Sequence, residues 1–423
     1  MAVFRPFCAV RPSKEKAADV AALPYDVMTS AEARVMTKDA PLSFLHVDRA
    51  EIDLPEGTDL YSDEVYEKAA ANLRGLIDDG VLIRDPDRCY YLYREIMDGR
   101  AQTGIVGCAS IDEYISGTIK KHELTVAAKE ADRIRHVDVC NANTGIIFLT
   151  FRNSPALEER MEAITGHDEP LYDFVSEDGV RHIVWKVGDP SDVRMFEESF
   201  SQIPALYIAD GHHRTASAVR VGEKRRREHP GYTGEEEFNY FLAAAFPASQ
   251  LSIWDYNRVV KDLNGLTEDA FLEKLSQVFH VTPLEQPEDG SEEALAVLKP
   301  AEKHMMTLYM GGKWFSLKAL SGTYDPDDTV MRLDVSILQR NVLSPILGIE
   351  DPRTDARISF VGGIRGMKEL KRLVDNGAAA AFAMYPTGMD DLMAIADDNR
   401  IMPPKSTWFE PKLRSGLFIH ELS

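Results

Sequence analysis

Two short runs, TGIIFLTF (residues 144–151) and HIVWKV (182–187), flank PALEERMEAITGH (155–167), and this succession narrows the fold more than any other feature of the chain. Each run is apolar, β-rich and free of polar alternation, so it reads as a strand buried on both faces, while the segment between has helical spacing. Such strands need cover on both sides, which predicts a mixed α/β protein. The same succession recurs. PALYIA precedes RTASAVRVGEKRRREHP, a helix that Pro230 must end, and FNYFLAAAF and LSIWDY follow as strands. CYYLYREI and AQTGIVGCASI flank Asp98-Gly99 as a hairpin, and MMTLYMGGKWFSLKAL turns at Gly311-Gly312. Thr267 opens a helix running to about Val278, and a later helix is capped by Thr387.

With 423 residues, 44% of them hydrophobic, the chain can fill two or three cores. The acidic stretch EQPEDGSEE, Glu285 to Glu293, is the best linker candidate, and three regions are expected: 1–120, 121–260 and 261–423. Lysine plus arginine number 48 against 69 acids, a net charge of −21 that repels nucleic acid, so nucleic-acid binding is not expected and any anion site must be local. No run reaches the roughly 18 apolar residues of a membrane span, and the start shows no apolar segment followed by a cleavage site; a cytoplasmic protein is expected. Cys8, Cys89, Cys108 and Cys140 form no CxxC pair and read as free buried thiols.

The stretch YIADGHHRTASAVR, Tyr207 to Arg220, carries the chemistry. An acid, a glycine, two histidines and an arginine stand between a strand and a helix. A helix start leaves N–H groups unpartnered at the positive end of the peptide dipoles, which attracts anions. Gly211 lets backbone approach a ligand, Arg214 can grip phosphate with two N–H groups, His212 and His213 can donate to the same oxygens, and Asp210 can hold a metal or orient a histidine. The plainer alternative is a helix capped by Asp210. A second constellation, IKKHELTVAAKEADRIRH, places His122-Glu123 ahead of Lys129, Glu130, Asp132 and Arg133. It reads either as a general base among cations or as a salt-bridged helix face.

ADGHHRTASA resembles the phosphate-binding box of the ParB and sulfiredoxin superfamily, in the form found in free L-serine kinases, and KHE resembles the catalytic His-Glu element of those kinases. LPYDVMTSAEARVM with SFLHVDR, KHELTVAAKEADR, and VGGIRG with the MPPKST and PKLRSG tail resemble a broader uncharacterised bacterial family related to them. The resemblance implies a ParB/sulfiredoxin-like core with large insertions and a C-terminal α/β extension. It implies a Mg²⁺-dependent kinase that phosphorylates free L-serine, or another small hydroxyl amino acid, from ATP, ADP or pyrophosphate. Glu123 would match the base, with Glu130 in reserve. Asp210 and His212 would serve catalysis, Asp210 would also hold the metal, and Gly211, His212, His213, Arg214 and Thr215 would cradle phosphate. His122 would bind substrate. Since Glu123 and Asp210 stand 87 positions apart, the TGIIFLTF and HIVWKV strands would belong to an insertion looped around the site. A nucleotide-binding regulator and a phosphohydrolase are the alternative readings.

Weaker signals complete the picture. Tyr25 and Asp26 of LPYDV can line a pocket, and Lys405, Ser406, Thr407 and Lys412 can grip an anion from a proline-stiffened tail. VGGIRG is either a phosphate-touching loop or a tight turn into GMKELKRLVDNG. No Walker-type loop occurs, and GEKRRREHP reads as a solvated helix end.

Overall fold

A computed structural model describes residues 2–423. The chain forms two units, one of residues 1–251 and 411–423, the other of residues 252–410. The expected division at 120 and 121 falls inside the first unit, because the strand ending at Lys120 pairs with the strand ending at Asp210. The acidic stretch 285–293 falls inside the second and is built into it: Ser291 caps a helical turn, and both Glu292 carboxylate oxygens accept backbone N–H bonds from Met367 and Lys368 at 2.8 Å.

The first unit holds a nine-stranded sheet. Its strands are β1 (Phe4–Arg5), β2 (Tyr90–Met97), β3 (Arg100–Ser110), β4 (Ile119–Lys120), β5 (Ile147–Phe151), β6 (Tyr172–Val175), β7 (Arg181–Val187), β8 (Leu206–Asp210) and β9 (Tyr240–Pro247). They run in the order β4-β8-β5-β9-β3-β2-β7-β6, with β1 on the end of β3. The hairpin β2-β3 turns at Asp98 and Gly99, with φ of 52° and 77°, the left-handed pair that a two-residue hairpin turn demands. In β3, a Cβ on Gly107 would stand 2.9 Å from the Arg5 carbonyl oxygen and 2.8 Å from the Phe4 ring, so only glycine lets β1 close on this strand.

The insertion expected around the site is not a loop. TGIIFLTF forms β5, every residue of it buried, paired antiparallel with β8 and parallel with β9, and HIVWKV forms β7 towards the far side of the sheet. Helices α1 (Asp63–Asp78), α2 (Ala127–Cys140), α3 (Pro155–His167), α4 (Pro190–Phe200) and α5 (His212–Glu228) accompany the sheet, and α2 packs on α5. Leu157, Met161, Phe196 and Phe200 of α3 and α4 join Ile147, Leu149, Leu206 and Ile208 of the sheet in one core. After the second unit the chain returns, and the tail pairs with Ala22 through Ser415, with Val10 through Ile419 and with Asn143 through His420.

In the second unit β10 (Tyr256–Val260), β11 (Phe279–Leu284), β12 (Met305–Met310), β13 (Lys313–Ala319), β14 (Ile358–Gly362) and β15 (Ala380–Met384) form an antiparallel sheet in the order β11-β13-β12-β15-β10-β14. Gly311 and Gly312, both at positive φ, turn its β12-β13 hairpin. Thr267 caps α6 (Glu268–Leu275), shorter than expected. VGGIRG is the turn from β14 into α7 (Gly366–Asp375), and its helix start is the one taken by Glu292. The residue ahead of α8 (Met389–Asp397) is Gly388, not Thr387, whose hydroxyl instead donates to the Ser406 carbonyl at 3.0 Å. All four cysteines are free; Cys8, expected inside, is exposed, and Cys140 is half-buried. Among the described residues no helix is long and apolar enough to cross a membrane.

Candidate functional site

The parallel pair β4 and β8 brings the two sequence constellations to one sheet end. Ile119 and Lys120 register against Leu206 and Tyr207, so KHE and DGHHR leave neighbouring strands at their C-terminal ends. β5 runs the other way, with Phe148 opposite Asp210, so the loop that precedes it arrives at the same place. The 87 positions between Glu123 and Asp210 are therefore bridged by pairing within the sheet.

Gly211 turns the chain from β8 into α5 at φ 91°, where a side chain would be strained and would press on the Arg214 guanidinium. The N-cap is Gly211, which has no side chain to cap the first turn of α5, and no acid stands within that turn, so the helix start is attractive to an anion. The Asp210 cap expected as the plainer alternative is absent; one Asp210 oxygen accepts the Gly211 N–H at 2.7 Å and the other accepts from Lys412 at 3.0 Å. Burial works against the Asp210 charge, but Lys412 and Arg214 outweigh it and hold the carboxyl well below the usual carboxylate range.

The two histidines of the box clamp the KHE loop. His212 Nε2 accepts the His122 N–H at 3.4 Å, and His213 Nε2 accepts the Val126 N–H at 2.9 Å. An imidazole that accepts at Nε2 while neutral carries its proton on Nδ1. For His212 that nitrogen stands 3.8 Å from Glu123 Oε2. The rings of His122 and His212 meet edge to face at 4.5 Å. Burial lowers the His122 pKa to about 4, against the pull of Asp210 and of the nearby Ile208 carbonyl, and neither ring nitrogen has a well-formed hydrogen bond. Burial and His122 likewise push His212 well below its ordinary value, so both rings are neutral at pH 7.

Arg214 donates to the Ile146 carbonyl, and its Nε is buried without a partner. Burial opposes its charge, but Asp26, Asp210 and Tyr25 outweigh this and its pKa is raised. A small cleft beside it is lined by Tyr25, Asp48, Arg133, His136 and Thr144. Tyr25, Asp48, Arg133 and His136 also line an adjoining cavity of about 230 Å³ that Asp26, Arg49 and Asp132 complete. Arg133 stacks over the Tyr25 ring at 4.2 Å and donates to Asp132 at 2.8 Å. Burial, then Asp26, pushes the Tyr25 phenol up to about 12. Asp48 accepts from Thr144 at 3.1 Å, and burial raises its pKa.

The structure thus brings together Tyr25, Asp26, His122, Glu123 and Asp210 to Arg214, with the Thr215 hydroxyl turned back onto the Gly211 carbonyl at 3.0 Å. Glu130 points elsewhere, accepting from Thr125 at 2.7 Å and facing Arg220 at 3.5 Å. Lys405 belongs to the second unit, where its ammonium lies 5.4 Å over the Tyr256 ring. The basic run that ends α5 is ion-paired, Lys224 and Arg225 with Asp138 and Arg226 with Asp112. Asp48, in SFLHVDR, and Thr144, at the head of TGIIFLTF, lie in quoted stretches but were not expected in the site. Arg133 stood in the KHELTVAAKEADR stretch, and Lys412 was expected to grip an anion; it grips Asp210.

Among the described residues no three His, Cys, Asp or Glu side chains are placed to hold a metal ion. Asp210 is one carboxylate, already bound by Lys412. A magnesium ion at this place would take one protein oxygen, from Asp210, and keep its other ligands from elsewhere, as Mg²⁺ commonly does.

Solved structures similar to the chain include a free serine kinase variant in complex with AMP, 13% identical over 74% of this chain and 92% of that one, TM-score 0.35. A conserved hypothetical protein from Pyrococcus furiosus is 13% identical over 74% and 94%, TM-score 0.34. SbnI with a C-terminal truncation, from Staphylococcus aureus, is 10% identical over 73% and 84%, TM-score 0.37. At these scores the likenesses carry no argument about activity. No curated protein matches the chain. A family model described as "Protein of unknown function (DUF1015)" matches residues 4–336, and the chain belongs to that family.

Proposed function

We propose that the chain is a phosphotransferase that moves a phosphoryl group from ATP, ADP or pyrophosphate to the hydroxyl of a small amino acid, free L-serine above all. The observation that carries this reading is the meeting of Glu123 with an uncapped helix start: His212 reaches Glu123 at 3.8 Å from the first position of α5. The resemblance of KHE and DGHHR to motifs of free serine kinases supports L-serine as the acceptor. Phosphoryl transfer asks for positioning and charge neutralisation more than for covalent chemistry, and this site offers both.

In this reading the donor phosphate sits on the first turn of α5 and on Arg214. The serine oxygen forms the new P–O bond as the bond to the leaving phosphate breaks, and Glu123 takes the hydroxyl proton. Glu123 fits that task better than Glu130, whose carboxylate is engaged by Thr125 and Arg220. His212, neutral and protonated on Nδ1, orients Glu123. Magnesium, carried on the phosphates and touching Asp210, would supply further charge neutralisation.

The test mixes the full chain with Mg²⁺, L-serine and each donor in turn, with phosphoserine read by mass spectrometry. Glu123→Gln should lower turnover roughly 100-fold or more while donor binding stays within a few-fold, the range expected for loss of a general base. Unchanged turnover in that variant removes Glu123 from the reaction. Phosphate release at full rate without serine makes the chain a phosphohydrolase.

A further inference from the structure

The match to the family ends at residue 336, yet a cation at the centre of the site comes from residue 412. Pro411 to Ser423 return to the first unit after the second is complete, and three backbone pairings, at Ser415, Ile419 and His420, fix the path of this tail. Its register puts Lys412 beside Asp210 with only 12% of the side chain exposed. That is an unusual burial for lysine, which is almost always solvent-facing unless paired.

What lies between Lys412 and the helix start is a carboxylate. Asp210 accepts the Gly211 N–H with one oxygen and the Lys412 ammonium with the other, at 2.7 and 3.0 Å. A backbone N–H at the mouth of a helix and a lysine ammonium facing the same two oxygens form the donor set that binds phosphate elsewhere, and here an internal anion occupies it. Arg214 stands on the other side with Nε buried and unpartnered. With a net charge of −21, the chain has no general attraction for polyphosphates, so such local donors must supply it.

We propose that Lys412 is a donor-binding residue, held on Asp210 in the resting chain and transferred to a phosphate oxygen when a polyphosphate enters at the start of α5. This rests on the reading of the site as a phosphoryl-donor site, and adds to it a ligand from the C-terminal tail. The exchange also frees an Asp210 oxygen for a cation that accompanies the phosphates. Lys412 thereby stands in for that cation while the site is empty of donor.

The experiment titrates inorganic pyrophosphate, and ADP in parallel, into the full chain without magnesium by calorimetry. The variants are Lys412→Met, Lys412→Arg and Asp210→Asn, with thermal melting as a check that each is folded. Lys412→Met should weaken binding roughly 10- to 100-fold, the loss expected for one charge-assisted hydrogen bond, and Lys412→Arg should stay within a few-fold. Asp210→Asn, which releases the ammonium, should bind at least as tightly as the unaltered chain. Lys412→Met binding as the unaltered chain does would overturn the proposal, as would Asp210→Asn losing as much affinity as Lys412→Met, because Lys412 would then act only through Asp210. An unaltered chain that binds neither probe also overturns it. Loss of affinity in Lys412→Met with no phosphoserine from any donor leaves the phosphate site standing and removes the kinase reading.

Discussion

His122 gives a sharp prediction about stability and pH. It is 1% exposed, its two ring nitrogens lack well-formed hydrogen bonds, and burial brings its pKa from 6.5 to about 4. A base whose pKa is depressed by folding has the opposite sign to a salt-bridged histidine. Above about pH 7 both states are neutral and nothing is lost; as pH falls below 6.5 the unfolded chain takes a proton that the native site refuses, and stability declines until about pH 4. At pH 5.0 the two pKa values imply a loss of about 2 kcal/mol from this residue alone. His122→Phe removes the titration and the two buried nitrogens, and a phenyl ring can keep the edge-to-face contact with His212. The variant should melt near the parent temperature at pH 7.5 and be relatively more stable by about 2 kcal/mol at pH 5.0, roughly 4–8 °C for a unit of this size. Differential scanning calorimetry at the two pH values reads this directly. Any overpacking by the larger ring shifts both values equally and leaves the difference intact. Melting curves that stay parallel from pH 7.5 to 5.0 would refute the argument that His122 is buried as a neutral base.

Two further predictions concern charge and packing. Asp210→Asn keeps one oxygen for the Gly211 N–H, releases the Lys412 ammonium because the other position becomes an NH2 donor, and loses the charge; at 30% exposure of the side chain the cost should be about 1–2 kcal/mol. Because the folded pKa of Asp210 is depressed, its contribution is complete above the unfolded value of 3.8 and fades only below it, so the melting gap should be constant from pH 8 to 4.5. A gap that closes between pH 7 and 5 would show that the cations do not hold this carboxyl down. Gly107→Ala should lower the urea midpoint by the equivalent of about 1–3 kcal/mol, since the new methyl meets the Arg5 carbonyl and two rings of the core. An unchanged midpoint would mean that β1 can move off the sheet freely.

The two hairpins, the helix start at Gly211 and the buried strands β5 and β8 were legible because each rests on local chemistry: positive-φ turn residues, an uninterrupted β-rich run, a proline stop. What local chemistry does not carry is pairing order. The expectation that β5 is looped around the site failed because a strand of five buried residues looks the same at an edge, in a loop or beside the site, and only its partners, β8 and β9, place it. The acidic stretch 285–293 misled for a related reason. Its composition is that of a linker, but Ser291 and Glu292 spend their side chains on helix starts, one local and one 75 residues away. In the site, the conspicuous motif residues were legible, whereas Asp48 and Thr144, though inside quoted stretches, were not placed there, since the hydrogen bond that joins them spans 96 residues.

The paired histidines explain why the two motifs need one another. A phosphate box alone would require only the helix start, the glycine and the arginine. Here His212 and His213 each turn Nε2 to the backbone of the KHE loop, so that loop and helix are fixed by two backbone N–H groups donating to ring nitrogens, and burial keeps the His212 ring neutral. Protonation would abolish the acceptor, and with it the clamp. A buried neutral ring is therefore a mechanical requirement at this position as well as an electrostatic one. The depressed pKa of His212 and the approach of its Nδ1 to Glu123 are two consequences of a single placement at the mouth of α5.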